Sequence, residues 1–138
     1  MADKVLVFGT ETPAPTGGSH VGVEITAPAT LRALEVLQIT CNRPSARMIT
    51  AAASVLSNKV AILPAHLGVS NAVAALAVVE RGDRVAAPAA GWARVGLSEG
   101  NPATFDPPLE IPIGQILLIE HDTADETMQF GCILRERR

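Results

Sequence analysis

The chain has 138 residues, of which 48% are apolar and 18% charged, while only 3% are aromatic. Its eleven basic and fourteen acidic residues give a formal charge of −3, which argues against the basic surface of a nucleic-acid-binding domain. The length predicts a single domain over residues 1–138. The apolar excess predicts surface that is covered by other subunits.

The first residues and the two cysteines bear on where the protein is made. Residues 1–8 lack the features of a secretory signal, and the longest apolar run, Ala72–Val79, is far shorter than the ~20 residues of a membrane-spanning helix. Cys41 and Cys132 each lie in an apolar segment. We therefore expect no membrane span. We expect the two cysteines to be buried free thiols of a protein that is made in a reducing compartment, and a disulfide between them is the less favoured alternative.

The first elements are predicted as two strands separated by a loop. Lys4–Phe8 is a short apolar run, and the Gly- and Pro-rich residues 9–19 indicate a surface loop. Val21, Val23 and Ile25 then alternate with other residues, which is typical of a half-buried strand.

The next segment, residues 30–41, fits two interpretations. Leucines at every third position would give a helix an apolar stripe, whereas alternation towards the end of the segment indicates a strand. We favour a strand from Glu35 onward. Asn42–Ser45 then predicts a turn and Arg47–Leu56 a second strand, so that the two strands would form a hairpin.

The middle of the chain contains a second ambiguity. Ser57–Lys59 predicts a turn and Val60–Leu63 a short buried strand. Residues 70–82 would form a helix between two capping residues or strands joined by a turn at Glu80–Asp83. Strands are favoured, and Trp92–Leu97 is a further candidate strand.

The last part of the chain predicts one more loop and a hairpin. Three prolines in residues 98–108 indicate a surface loop. Leu109–Ile119 and Met128–Arg135 flank a polar tip and are predicted to pair as a long antiparallel hairpin. About eight to ten short strands, with at most one or two short helices, predict an all-β fold: an antiparallel, jelly-roll-like β-sandwich or barrel.

The sequence contains no recognisable catalytic or ligand-binding motif. There is no P-loop and no G-x-G-x-x-G, and the histidines and cysteines lack the spacing of a zinc site. Titratable groups cluster only at His121, Asp122, Asp125 and Glu126, where a solvated tip is favoured over a divalent-cation or acid–base site. We predict no enzyme, catalytic residue, metal, cofactor or small-molecule substrate.

Two aromatic side chains are candidates for contact with other subunits. Trp92 and Phe105 lie in or beside loop-like segments, and large aromatic side chains in such places can anchor interfaces. The alternative is that both fill the end of the sandwich.

About residues 4–135 contain this number of short strands, with Pro- and Gly-rich connections between them and a pair of strands that closes the fold. In these features the chain resembles small β-sandwich structural proteins of viruses and bacteriophages, such as jelly-roll capsid, penton or decoration subunits. The resemblance implies a self-assembling subunit that binds copies of itself or another shell protein, without specific nucleic-acid binding, in a virion after synthesis in the host cytoplasm. The alternative is a small cytoplasmic α+β oligomeric enzyme or ligand-binding protein.

Overall fold

A computed structural model describes residues 3–13, 18–42, 44–49, 54–64, 75–84, 93–95 and 102–138. These residues form ten strands in two antiparallel sheets. The strands are β1 (Lys4–Thr12), β2 (His20–Thr26), β3 (Ala33–Cys41), β4 (Pro44–Ile49), β5 (Leu56–Ala61), β6 (Val78–Arg84), β7 (Ala93–Val95), β8 (Ala103–Ile111), β9 (Ile116–His121) and β10 (Met128–Arg137).

Eight of the strands are paired as a nested antiparallel ribbon. β1 pairs with β10, β2 with β9, β3 with β8, and β4 with β7. When such a ribbon is rolled up, β3 comes to lie beside β10 and β4 beside β9, as observed here. This is the wrapping of a jelly roll, so the predicted all-β, jelly-roll-like sandwich is confirmed.

The other two strands make the sandwich unequal. β5 and β6 pair with each other, and β6 also pairs with the outer side of β2. One sheet therefore has the order β1-β10-β3-β8, and the other has the order β5-β6-β2-β9-β4-β7. Because β1 and β2 face each other across a jelly roll, β6 and β5 extend the larger sheet beyond β1.

The core lies between the two sheets. The predicted alternation of Met128, Phe130, Cys132 and Leu134 towards the interior is confirmed. Strand β2, by contrast, is buried on both faces rather than half-buried, because Leu56 covers Gly22 on its outer side and Ser54 binds Glu24 there.

Two predicted hairpins are wrong. β3 and β4 lie in different sheets, as do β9 and β10. Both neighbours of β3 are supplied by the remote strands β10 and β8, and both neighbours of β9 by β2 and β4. Alternation along a strand shows which residues face the core, but it does not identify the strand next to it.

Two predicted turns are also wrong, because their residues lie within strands. Ser57–Lys59 forms an irregularity inside β5, where Asn58 has a φ of 53° and the register with β6 shifts. Glu80–Asp83 continues straight through β6. Asn is one of the few residues that adopt positive φ at low cost, so the turn-like composition marks a bulge here rather than a reversal of the chain.

Both predicted surface loops are shorter than expected. β1 continues to Thr12, which takes Gly9–Thr12 out of the loop assigned to 9–19, and β8 begins at Ala103 within residues 98–108. Pro107 and Pro108 are accommodated because β8 is an edge strand and its pairing with β3 is interrupted between Thr104 and Leu109, so that neither missing N–H costs a ladder hydrogen bond.

The α+β fold of the alternative is wrong, since the described residues contain no helix and form two antiparallel sheets; its enzyme or ligand-binding function is not tested by the fold. β3 occupies most of residues 30–41, and β6 begins at Val78 within residues 70–82. Residues 70–74 and Trp92 lie outside the described residues.

Candidate interaction edge

The exposed apolar side chains are concentrated on one side of the sandwich. Five large apolar side chains of the described residues are exposed. Val5 lies on β1, while Val60, Leu63 and Val78 lie on or directly beside the β5–β6 hairpin; the fifth, Ile113, precedes β9. Leu63 is 76% exposed and Val5 58%. Such a grouping is typical of a surface that is covered by a partner.

Among the described residues, no strand pairs with β1 on its side away from β10, which we call its open edge. The nine residues of β1 pair with β10 without a register shift. The backbone N–H and C=O of Gln129 bond to Asn42 of the β3 side, so its cross-strand neighbour Glu11 turns its own backbone groups to the open edge. Val5, Val7 and Gly9 lie an even number of residues from Glu11 along the strand, so their backbone N–H and C=O groups also point to the open edge.

The other strand edges carry features that discourage pairing with another chain. β8 contains two prolines and a register shift, and β5 contains the bulge at Asn58. The described part of β7 is only three residues long. Proteins block edge strands by such means. The open edge of β1 carries no proline and no bulge.

Val60 on β5 and Arg81 on β6 lie on the inner face of the larger sheet, beside the open edge of β1. We call these two residues the ledge. Arg81 lies opposite the core residue Val23 and so faces inward. Its guanidinium donates a 3.3 Å hydrogen bond to the carbonyl of Glu11 on β1. Beyond it, four consecutive residues of β5, Asn58–Ala61, are exposed, so the smaller sheet does not cover this strand.

The buried carboxylates of the molecule are held by structural contacts. Glu24 accepts hydrogen bonds from the Ser54 hydroxyl at 2.8 Å and the Val55 N–H at 3.0 Å. Glu120 lies 2.6 Å from the Arg84 guanidinium. In both pairs the carboxylate holds one segment of the larger sheet to another.

Glu136 lies near the C-terminal end of β10, and its side chain is fully buried. Its Oε2 accepts hydrogen bonds from the backbone N–H groups of Leu76 at 2.7 Å and Ala77 at 2.6 Å. Its Oε1 pairs with the Arg138 guanidinium at 2.6 Å. This carboxylate therefore holds Leu76 and Ala77, just before β6, close to β10 and Arg138. The sequence concealed its role, because Glu136 follows an apolar alternation that would be expected to end in solvent.

On the outer face of the smaller sheet, Glu35 pairs with Arg135 and Arg137. Their hydrogen bonds, first that of Arg135, hold the pKa of Glu35 below its ordinary 4.5. A carboxylate with a lowered pKa stabilises the fold above the pKa of the unfolded chain, and this contribution is lost as the pH falls through the folded-state value.

The Glu35→Gln variant is therefore expected to be less stable than the native protein at pH 7, with the difference narrowing below about pH 4. Urea unfolding of both proteins at pH 7 and pH 3 measures this. Glu126→Gln, at an exposed position, is the control and should not change stability at either pH. A difference for Glu35→Gln that is equal at both pH values would contradict the role of these ion pairs.

The polar segment at His121 organises a connection between the sheets. His121 is buried, and its Nδ1 accepts a hydrogen bond from the Thr123 N–H. Asp125 accepts one from the Gly18 N–H at 3.0 Å. Among the described residues, no three His, Cys, Asp or Glu side chains lie together as metal ligands would. These contacts account for the polar cluster by local structure.

Cys41 and Cys132 are both buried and free, as predicted. Burial raises the pKa of Cys41 to about 12, with a smaller contribution from the negative charge of Asp122. Burial also raises the pKa of Cys132.

Both thiols are expected to react with an aromatic disulfide reagent at pH 8 at least about 100-fold more slowly in the folded protein than in concentrated guanidinium, because only the thiolate attacks. Absorbance of the released thiol measures the rates. Rapid reaction of one cysteine in the folded protein would show that this side chain is accessible.

The two predicted interface anchors have different outcomes. Phe105 lies on β8, half-buried, and packs against the core cluster, which is the arrangement expected of a side chain that fills the sandwich. Its role as an anchor stays a prediction. Trp92 lies outside the described residues.

A shallow groove of about 320 Å³ lies near the end of the smaller sheet, between Thr10, Thr40, Asn42 and Gln129. The amide of Asn42 is occupied by hydrogen bonds to the backbone of Thr127 and Gln129. Cys41, Phe130 and Gly131 also line the groove, and none of the described residues around it is charged.

The comparisons with protein-family models, curated proteins and solved structures found no match to this chain. Within the described ranges, no helix has the length and apolar character needed to cross a membrane.

Proposed function

We propose that this protein is a self-assembling structural subunit, of the kind that forms or decorates a viral or bacteriophage shell. The observation that supports it best is the nested jelly-roll strand order, which recurs in capsid subunits as well as in lectins and cupins. Fold alone does not select among these. The exposed apolar side chains beside the open edge of β1 favour assembly.

In this function the protein works by burying edges and apolar side chains against neighbouring subunits, with symmetry multiplying weak contacts. Its partners are copies of itself or another shell protein, and its place is the virion after synthesis in the host cytoplasm. The negative net charge favours a position without tight contact with the genome.

Light scattering behind size exclusion, followed by negative-stain microscopy, tests the proposal. Rings, trimers, pentamers or closed particles of the purified full chain are the expected result. A strict monomer at about 100 µM, far above the Kd of an ordinary specific interface, would overturn self-assembly.

A further inference from the structure

We propose that two copies of this chain dock by a two-fold lap joint, in which β5 of each copy pairs with the open edge of β1 in the other. The sandwich is stepped, with four strands in one sheet and six in the other. The ledge of one copy would fill the space beside β1 of its neighbour. The inference names a first contact for the proposed self-assembly and rests on that proposal for the identity of the partner.

The step selects this arrangement over direct pairing of the two β1 strands. In a β1–β1 pair the larger sheets of both copies would lie on the same side, and the two ledges would occupy the same space. A two-fold axis parallel to the strands instead turns the second copy over, so that its larger sheet lies level with the smaller sheet of the first copy. The larger sheet of one copy then continues the smaller sheet of the other, and both sheets become continuous across the joint.

The strand directions agree with antiparallel pairing. β2 begins at the end of the sandwich where β1 finishes, since Gly18 just before β2 bonds to Asp125 just before β10, and Met128 of β10 pairs with Thr12 at the end of β1. β5 runs parallel to β2, because each is antiparallel to β6. A rotation about an axis along the strands keeps these directions, so β5 of the second copy runs antiparallel to β1.

The backbone groups then define a register. Val5 and Val7 turn their N–H and C=O to the open edge, as derived above. The Ile62 N–H donates to Val79 on β6 at 2.8 Å, so Ala61 and Leu63 turn theirs away from β6. Pairing Val5 with Leu63 and Val7 with Ala61 of the second copy satisfies both edges. Each hydrogen-bonded pair exchanges two bonds, which gives about four per junction.

The side chains fit the same register. Val5 and Leu63 both point to the outer faces of their sheets, and the pairing covers the two most exposed large apolar side chains of the described residues. In this register Val60 of the ledge comes to lie beside Phe8 of the other copy. The antiparallel direction also brings Lys59, in the second half of β5, towards Glu11, near the end of β1, so that opposite charges meet. Both residues are exposed in the single chain. Within one chain the Lys59 ammonium lies 3.9 Å from Glu80.

A designed disulfide tests the joint. In the Val5→Cys/Leu63→Cys variant, mild oxidation should give a covalent dimer, since the paired Cα atoms would lie about 5.5 Å apart. Within one chain the two positions lie on the outer faces of opposite sheets, about 10 Å or more apart, and the buried native thiols do not compete. The matched control is Val5→Cys/Ile113→Cys, with its second cysteine at an exposed position elsewhere. Cross-linking at least tenfold faster than in the control is expected, and equal rates would overturn the joint.

The Leu63→Asp variant gives a second readout, with Ile113→Asp as its control. Leu63→Asp should reduce the dimer to a monomer in sedimentation velocity, while Ile113→Asp leaves it intact; circular dichroism checks that both fold. A dimer that depends on Leu63 but forms no larger particle would support the joint and contradict shell assembly. Larger particles that form equally well with Leu63→Asp would overturn the joint and retain the proposed function.

Discussion

Replacement of Glu136 by alanine is expected to lower the free energy of unfolding by about 3–5 kcal/mol. The carboxylate has no solvent-exposed surface, and it accepts hydrogen bonds from the Leu76 and Ala77 N–H groups while pairing with Arg138. Alanine would leave two buried backbone N–H donors without their acceptor, and each unsatisfied buried group costs about 1–3 kcal/mol. It would also remove the ion pair with Arg138.

Urea unfolding at pH 7 measures this effect, and two variants sharpen it. Glu136→Gln keeps an oxygen for the two N–H groups but removes the charge, so we expect an intermediate loss. Glu126→Ala, at an exposed position, should change stability by less than about 0.5 kcal/mol. If Glu136→Ala lowered the free energy of unfolding by less than about 1 kcal/mol, the residues just before β6 would not be held by this carboxylate.

The Gly82→Ala variant is expected to lose about 2–3 kcal/mol through overpacking. A Cβ at position 82 would lie 2.5 Å from the carbonyl oxygen of Ser57 and 3.2 Å from Cβ of Leu56. The first of these is backbone held in the bulge of β5, so it cannot rotate away. The added methyl group would therefore push β5 off β6, and the variant should also associate more weakly if β5 forms the lap joint.

Gly9→Ala is the matched control for this prediction, because Gly9 is also in a strand but has room. The nearest atom to a Cβ there is the Phe130 carbonyl oxygen, at 3.7 Å. Gly9→Ala should be neutral or stabilising by up to about 1 kcal/mol, since alanine has less freedom to lose on folding. Equal losses for both variants in thermal or urea unfolding would contradict the close approach of β5 to Gly82.

The sequence was sufficient to predict the class of fold and the approximate positions of β1, β2, β3 and β10. The alternation from Met128 to Leu134 is governed by one physical rule, that successive side chains point to opposite faces. Turn-like residues at Ser57–Lys59 were misleading, because the same positive φ that permits a turn at Asn58 also permits a bulge.

Strand partners and the polar contacts were beyond prediction from one sequence. β9 is buried on both faces, so its pattern carries no information about which neighbour lies beside it. The larger sheet has two more strands than the smaller one because β5 and β6 pair on the outer side of β2. The open edge of β1 depends on which strands lie at the edges of the two sheets. These are properties of the assembled sheets. Residues such as Val5 and Leu63, far apart in the chain, acquire a common role only through them.

Hydrogen exchange of the backbone amides tests most directly the claim that this protein associates through the open edge of β1. Spectra of the full chain would be compared below and above the concentration at which sedimentation shows association. We predict that the Val5, Val7, Ala61 and Leu63 amides become protected on association, while the Thr104 amide on β8 does not change. Association without any gain of protection at β1 and β5 would contradict the account.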